Sequence, residues 1–210
     1  MRRRIFNYDD MSKSKVVDNL NSKSKLFDNS ISASGCLFYK IVDNKIKLLM
    51  IKYTDPRWPK LDDFGGKIDE PDKSVFDAAI RETTEETNNV ISKDIILKIL
   101  SDNDDSICFY NKTSKYYVYL MKVNDDFFSD TNIFGNFEKA DKISRTVGWY
   151  DLQTNKKNIA YRIQSKELFA YLGKQLVVEQ PKKNEIIIEY DDEDNDVVIH
   201  KKLTTKGNKK

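Results

Sequence analysis

Histidine and cysteine are nearly missing from this chain: His200 is the one imidazole, and Cys36 and Cys108 are the two thiols among 210 residues. His200 lies far in sequence from the acid-rich segment around Glu82, Glu85 and Glu86, so a Ser-His-Asp or Cys-His catalytic arrangement there has no imidazole to work with. Both cysteines fall in strand-like runs and read as buried thiols of an intracellular protein; whether they pair is open at this level. No apolar run is long enough to cross a membrane as a helix, and no signal-peptide pattern opens the chain, so a cytoplasmic location is expected. An excess of charge is also missing: 36 Lys and Arg face 34 Asp and Glu, a net charge of +2. That balance does not announce a nucleic-acid protein. No internal repeat is visible.

What is present suits one enzyme-sized domain with decorated ends. Hydrophobic residues at 39% and aromatic residues at 11% are enough for a core. Residues 1–30 form a polar extension opening with Arg2-Arg3-Arg4. Residues 31–180 form the domain, and residues 181–210 a hairpin and basic tail. Segments 34–42 and 46–53 alternate as a hairpin does around Asp43-Asn44-Lys45. Residues 95–100, 106–110, 115–123 and 146–150 read as strands, 124–142 as a long polar loop, and 160–176 as an amphipathic helix. Residues 185–190 and 196–200 are two further β-prone runs. Richness in Lys, Asn, Ile and Asp fits an AT-rich coding genome, viral or protist.

The most informative segment runs from Gly65 to Val90, GGKIDEPDKSVFDAAIRETTEETNNV. Ser74 and Asp77 have the spacing of a capping box, which starts a helix. Positions i, i+3 and i+4 share a helix face, so Glu82, Glu85 and Glu86 project together. Their mutual repulsion becomes useful around a hard divalent cation, Mg²⁺ or Mn²⁺, which takes oxygen ligands. Asp77 and Glu85 each stand four residues from Arg81, within bridging reach of its guanidinium. Asn88 and Asn89 tolerate the left-handed conformation that ends helices, and Gly65-Gly66 allows the backbone to approach a metal or phosphate closely. A solvated acidic helix is the plain alternative; the double glycine, the cap and the ordered R-E-x-x-E-E series together outweigh it.

On these residues the chain resembles the Nudix hydrolases. Gly66, Arg81, Glu82, Glu85 and Glu86 fall on that family's box, and Val90 is the apolar residue at its close. There are three departures. The interval from Gly66 to Arg81 is one residue longer, which puts Asp72 or Lys73 at the first acid position, and Asp72 is favoured. Thr83 replaces an apolar residue, and Asn88 stands where a glycine is expected. The resemblance implies an α+β fold, an α/β/α sandwich with a mixed sheet between helices, over roughly residues 34–175. It also implies metal-assisted hydrolysis of a diphosphate linkage. Glu85 and Glu86 would be metal ligands and Glu82 a further ligand or the local base, helped by the carbonyl of Gly65 or Gly66, and Arg81 would orient the carboxylates. An acid beyond the box, Glu138 first and Asp141 second, would serve as base or as a further ligand.

Substrate choice lies outside the box. Trp58, Tyr53 and Phe64 are candidates to stack on a nucleobase, and Lys52, Arg57, Lys60 and Lys67 to hold phosphates. With the basic ends able to follow an RNA backbone, the mRNA 5′ cap, releasing m7GDP, is the leading specific substrate. Dinucleoside polyphosphates, ADP-ribose, nucleotide sugars and inositol pyrophosphates are the alternatives. A catalytically silent binding module on the same fold is the alternative of another class. It would lack acids at the Glu85-Glu86 pair, which are present.

Overall fold

The computed structural model describes residues 31–102, 107–178, 188–190 and 197–199; the polar N-terminal extension, the acidic run 191–194, His200 and the basic tail lie outside the described residues. The first hairpin forms as the alternation requires. Strands β1 (Ala33–Val42) and β2 (Lys45–Tyr53) pair antiparallel with Phe38 opposite Leu49. Asp43 and Asn44 between them both take positive φ, 50° and 58°, the conformation a two-residue hairpin turn demands.

Short strands β3 (Leu61–Asp62) and β4 (Phe64–Lys67) follow. Helix α1 (Val75–Glu86) comes next, then α2 (Lys93–Asp102), β5 (Ile107–Asn111) and β6 (Tyr116–Lys122). After β7 (Phe137–Glu138) and β8 (Ile143–Asp151) come the short helix α3 (Leu152–Asn155) and the longer α4 (Lys166–Val178). The main sheet runs β5-β6-β1-β2-β8-β7, with β3 on β2 and β4 on β1. It is mixed: β1 and β6 are parallel, and the other pairs in it are antiparallel.

Side chains of successive strand residues point to opposite faces, and each face of this sheet is covered. Cys36, Phe38, Leu49, Ile51, Tyr117 and Tyr119 pack with Phe76, Ala79 and Ile80 of α1 and with Ile96, Ile99 and Leu100 of α2. Leu37, Tyr39, Leu48, Met50, Val118 and Leu120 pack with Leu152, Ile163, Leu168 and Leu172. The molecule is therefore the expected α/β/α sandwich with a mixed sheet. Phe76 anchors α1; it is fully buried, its ring 4.9 Å from that of Tyr119.

Two elements differ from the sequence reading. Residues 95–100 lie in helix α2, not a strand. Ile95, Ile96, Ile99 and Leu100 recur at helical spacing, and Ser92 opens the helix by accepting the Ile95 and Ile96 amides. The late helix begins at Lys166 rather than Ala160, because Ser165 accepts the Leu168 amide at 3.0 Å and starts it there. Residues 161–163 form a separate 3₁₀ turn. Beyond the domain, β9 (Ile188–Tyr190) and β10 (Val197–Ile199) pair antiparallel, which realises the anticipated second hairpin. Among the described residues no helix is long and apolar enough to cross a membrane.

Candidate active site

Helix α1 is fixed at both ends by its own sequence. The Ser74 hydroxyl oxygen accepts the Asp77 amide at 3.0 Å, while its proton goes to the Asp77 carboxylate at 2.9 Å. At the other end the Asn88 amide donates to the Glu85 carbonyl and the Asn89 amide to that of Thr84. This crossed pair is a Schellman closure, with Asn88 and Asn89 at φ 53° and 65°.

Arg81 is the hub of the helix's exposed face. Its guanidinium grips Asp72 with two hydrogen bonds, at 3.0 and 3.1 Å. It also reaches Glu82 at 2.9 Å, Glu85 at 3.0 Å and the carbonyl of Lys67 at 2.9 Å. Asp72, the shorter acid at the altered first position, is thus the residue that meets Arg81, while Asp77 is spent on the cap. Burial pushes the Asp72 carboxyl up, but the bonds from Arg81 and from the Asp69 amide outweigh it and hold it below the usual range.

The glycine loop seats Glu82 and Glu86. The Gly65 amide donates to the Glu86 carboxylate at 2.6 Å and the Tyr53 hydroxyl donates to it at 3.2 Å. A Cβ on Gly66 would occupy the space of the Glu82 carboxylate, so only glycine permits this approach. Burial, with nearby Asp63 and Glu82, holds the Glu86 carboxyl well above its ordinary value despite Arg162. Glu82 is raised as well, by burial first.

Behind the loop is a polar floor that sequence reasoning missed. Asp63 is fully buried, accepts the Tyr116 hydroxyl at 2.9 Å and meets Arg162 at 3.1 Å. Arg162 also bonds Asp62 at 2.8 Å and lies over the Tyr116 ring. Burial pushes the Asp63 carboxyl up to about 7 against the pull of Arg162, because two adjacent carboxylates share one guanidinium. The Asp62-Asp63 pair before the glycines was a visible signal. Its partners, 53 to 100 residues away, were not. Arg145, also fully buried, was missed too; it donates to the main-chain carbonyls of Glu86, Phe134 and Gly135.

These elements enclose a cleft of about 820 Å³ lined by Gly65, Gly66, Arg81, Glu82, Glu85 and Glu86 on one side. Tyr53 and the exposed Arg57 and Trp58 form its lip, and Asp62, Lys67 and Arg162 line it as well. Ala140, Asp141 and Ile143, from the turn between β7 and β8 and the start of β8, supply the wall that neither the helix nor the glycine loop provides, its far wall. Trp58 is 62% exposed, with its ring 6.5 Å from that of Tyr53. Several expected residues stand elsewhere. Lys52 shares the sheet face of Leu48 and Met50, opposite to Tyr53, and does not line the cleft, because a strand's period of two turns neighbours apart. Phe64 is a fully buried core residue, not a base platform. Lys60 donates to the Lys157 carbonyl outside the cleft. Glu138 is buried and raised by that burial, accepts the Asp141 amide at 3.0 Å, and leaves the lining position to Asp141.

Among the described residues, no three His, Cys, Asp or Glu side chains are gathered as a metal cage, because Arg81 draws Glu82 and Glu85 to itself while Glu86 turns to Gly65. The donor chemistry nevertheless suits a hard divalent cation. The donors are carboxylate oxygens beside a glycine backbone, and buried charge on Glu82 and Glu86 is left without full compensation.

No family model matches the chain, and no curated protein does. Among solved structures it is similar to a Caenorhabditis elegans Ap4A hydrolase binary complex, 21% identical over 70% of this chain and 96% of that one, at a TM-score of 0.41. It is similar to the NUDIX domain of Shewanella oneidensis NrtR complexed with ADP ribose, 14% identical over 79% and 99%, at 0.39. A third is a Francisella tularensis bifunctional NMN adenylyltransferase/ADP ribose pyrophosphatase complexed with AMP and Mn ion, 18% identical over 78% and 47%, at 0.41. Scores of this size carry no argument about chemistry, which rests on the geometry above.

Proposed function

We propose that this chain is a Nudix-type hydrolase that cleaves a diphosphate linkage in a nucleoside-containing substrate. The observation that carries the reading is one helix that presents three carboxylates to an 820 Å³ cleft, Glu82 and Glu86 seated against Gly65-Gly66 and Glu85 held beside them by Arg81. Glu82, Glu85 and Glu86, with the Gly66 carbonyl, would hold Mg²⁺ or Mn²⁺, which when bound neutralises phosphate charge and acidifies a water for attack at phosphorus. Arg81 positions two of these acids and locks the helix to Asp72 and the Lys67 carbonyl, so it works through the carboxylates and not on substrate. Lys67 offers a cation on the same lining, and Asp141 is the acid of the far wall best placed to take a proton.

Tyr53 and Trp58 favour a nucleoside at the lip, since an exposed aromatic face stacks on any base. Arg57, Arg81 and Arg162 are each engaged by carboxylates, which leaves a sparse basic rim and disfavours inositol pyrophosphates. Small nucleotides, namely dinucleoside polyphosphates, ADP-ribose and nucleotide sugars, fill the cleft's requirements. The mRNA cap is the more specific reading; the basic ends that motivated it lie outside the described residues, so the exposed Trp58 is what favours it here. The test is incubation with Mg²⁺ or Mn²⁺ and diadenosine polyphosphate, ADP-ribose, capped RNA and an inositol pyrophosphate, with Glu86→Gln as control. Metal-dependent cleavage of any nucleotide, lost in the control, supports the reading. Silence on all four, with the fold intact, favours the binding-module alternative.

A further inference from the structure

The residue that departs from the family pattern at the end of the acid helix carries more contacts than a helix stop needs. Asn88 occupies the left-handed position of the Schellman closure, which glycine fills at no steric cost and asparagine at a small one. Its backbone role is therefore available to glycine. Its side chain does what glycine cannot. Asn88 Nδ2 donates to the carbonyls of Phe134 at 3.1 Å and Phe137 at 2.9 Å, and Asn88 Oδ1 accepts the Lys139 amide at 3.0 Å.

All three partners belong to the segment that becomes the far wall of the cleft, where Ala140 and Asp141 line it and Glu138 backs it through the Asp141 amide. Arg145 reinforces the same junction from β8: it donates to the carbonyl of Glu86, just before the helix stop, and to those of Phe134 and Gly135. Two side chains thus clamp the segment 134–139 to the end of the helix that presents Glu85 and Glu86.

We infer that Asn88 is a positioning residue that holds the segment 134–139, and with it the lining acid Asp141, against the end of the acid helix. The inference rests on the hydrolase reading for its consequence, but the tie itself is independent of it. A one-ångström misplacement of a reacting group is enough to cost about 100-fold in rate, so the tie matters even though Asn88 touches no substrate.

The test is Asn88→Gly in the full chain, which restores the family's own residue, keeps the backbone conformation and removes all three bonds. Asn88→Asp is the second variant, since it keeps the acceptor for Lys139 and loses the two donors. Amide exchange by NMR is expected to rise at least about ten-fold at Lys139 in Asn88→Gly and less in Asn88→Asp, by the loss of that bond's protection. In parallel kcat falls about ten-fold or more while KM stays within about two-fold, the signature of a displaced wall rather than a lost substrate contact. Unchanged exchange at Lys139 overturns the tie, and faster exchange with unchanged kcat overturns its role. Inactive wild-type protein sinks the hydrolase reading alone, and the Lys139 amide then decides the tie.

Discussion

The two ends of the cleft are built on different principles. At the acid end the central groups are held more than once: Glu86 by Gly65, Tyr53 and its own buried setting, Arg81 by four acids and a carbonyl, and Asp63 by Tyr116 and Arg162. At the lip, Arg57 and Trp58 hang on a local turn closed by Asp55, with the Trp58 amide on the Asp55 carbonyl and Arg57 forked on the Asp55 carboxylate. Both side chains stand largely exposed. The rigid end is where a reacting centre needs fixed charge, and fixed charge costs no reorganisation during reaction. The open end is where substrates differ, and a loop accommodates change with little effect on the fold. On the hydrolase reading, chemistry and specificity are expected to be separable in this molecule.

The largest expected effect breaks the acid end. Glu86→Gln keeps the bond from Gly65 but removes the charge, and kcat should drop by about 10²–10⁴-fold with little change in thermal midpoint, as read by steady-state kinetics and calorimetry. A wild-type rate in that variant would remove Glu86 from the mechanism. Next, Asp63→Ala removes one of the two carboxylates on Arg162 and leaves the buried Tyr116 hydroxyl without its acceptor, and stability should fall by about 1–3 kcal/mol in urea unfolding. A loss below about 0.5 kcal/mol would show the floor to be ornamental. Smaller again, Trp58→Ala should raise KM about ten-fold for a nucleotide substrate and leave kcat and stability alone. An equal fall in kcat would mean that lip and acid end are not separable after all.

The same floor is also expected to respond to pH. Asp63 has its carboxyl raised by burial to about 7, so its contribution to stability is present in full below the unfolded value near 4 and fades as pH rises toward 7. Asp72 has the opposite sign: its lowered carboxyl contributes above about pH 4 and is lost on acidification. Asp63→Asn should therefore gain on wild type steadily between pH 4 and 7 in thermal midpoint. A difference that stays flat across that window would contradict the assignment of Asp63.

Much of this was legible in the sequence because it is local. The hairpin turn at Asp43-Asn44, the Ser74 cap, the placing of Glu82, Glu85 and Glu86 on one helix and the left-handed stop at Asn88 each depend on residues within five positions of one another. Of the two acids expected to bridge to Arg81, Glu85 does so, whereas Asp77 is taken by the Ser74 cap and Asp72 meets Arg81 instead. The error at 95–100 arose where a short apolar run carries both periods, and only the Ser92 cap decides between them. Arg162, Tyr116 and Arg145 were illegible for another reason. Their roles exist only once β6, β8 and the 161–163 turn are laid against the glycine loop, and no local pattern marks a charged residue that will be buried with a distant partner. Lys52 and Phe64 failed as substrate contacts because closeness to the box in sequence says nothing about which face of a strand a residue takes.

The claim that joins these observations is that Glu82, Glu85 and Glu86 form one divalent-cation site. Titration of Mn²⁺ into the full chain, followed by the loss of the free-ion electron paramagnetic resonance signal, tests it without needing a substrate. The account predicts saturable uptake by the wild-type protein at neutral pH and its near-abolition in both Glu85→Gln and Glu86→Gln. Uptake that is unchanged in these variants, or absent from the wild type, would contradict it.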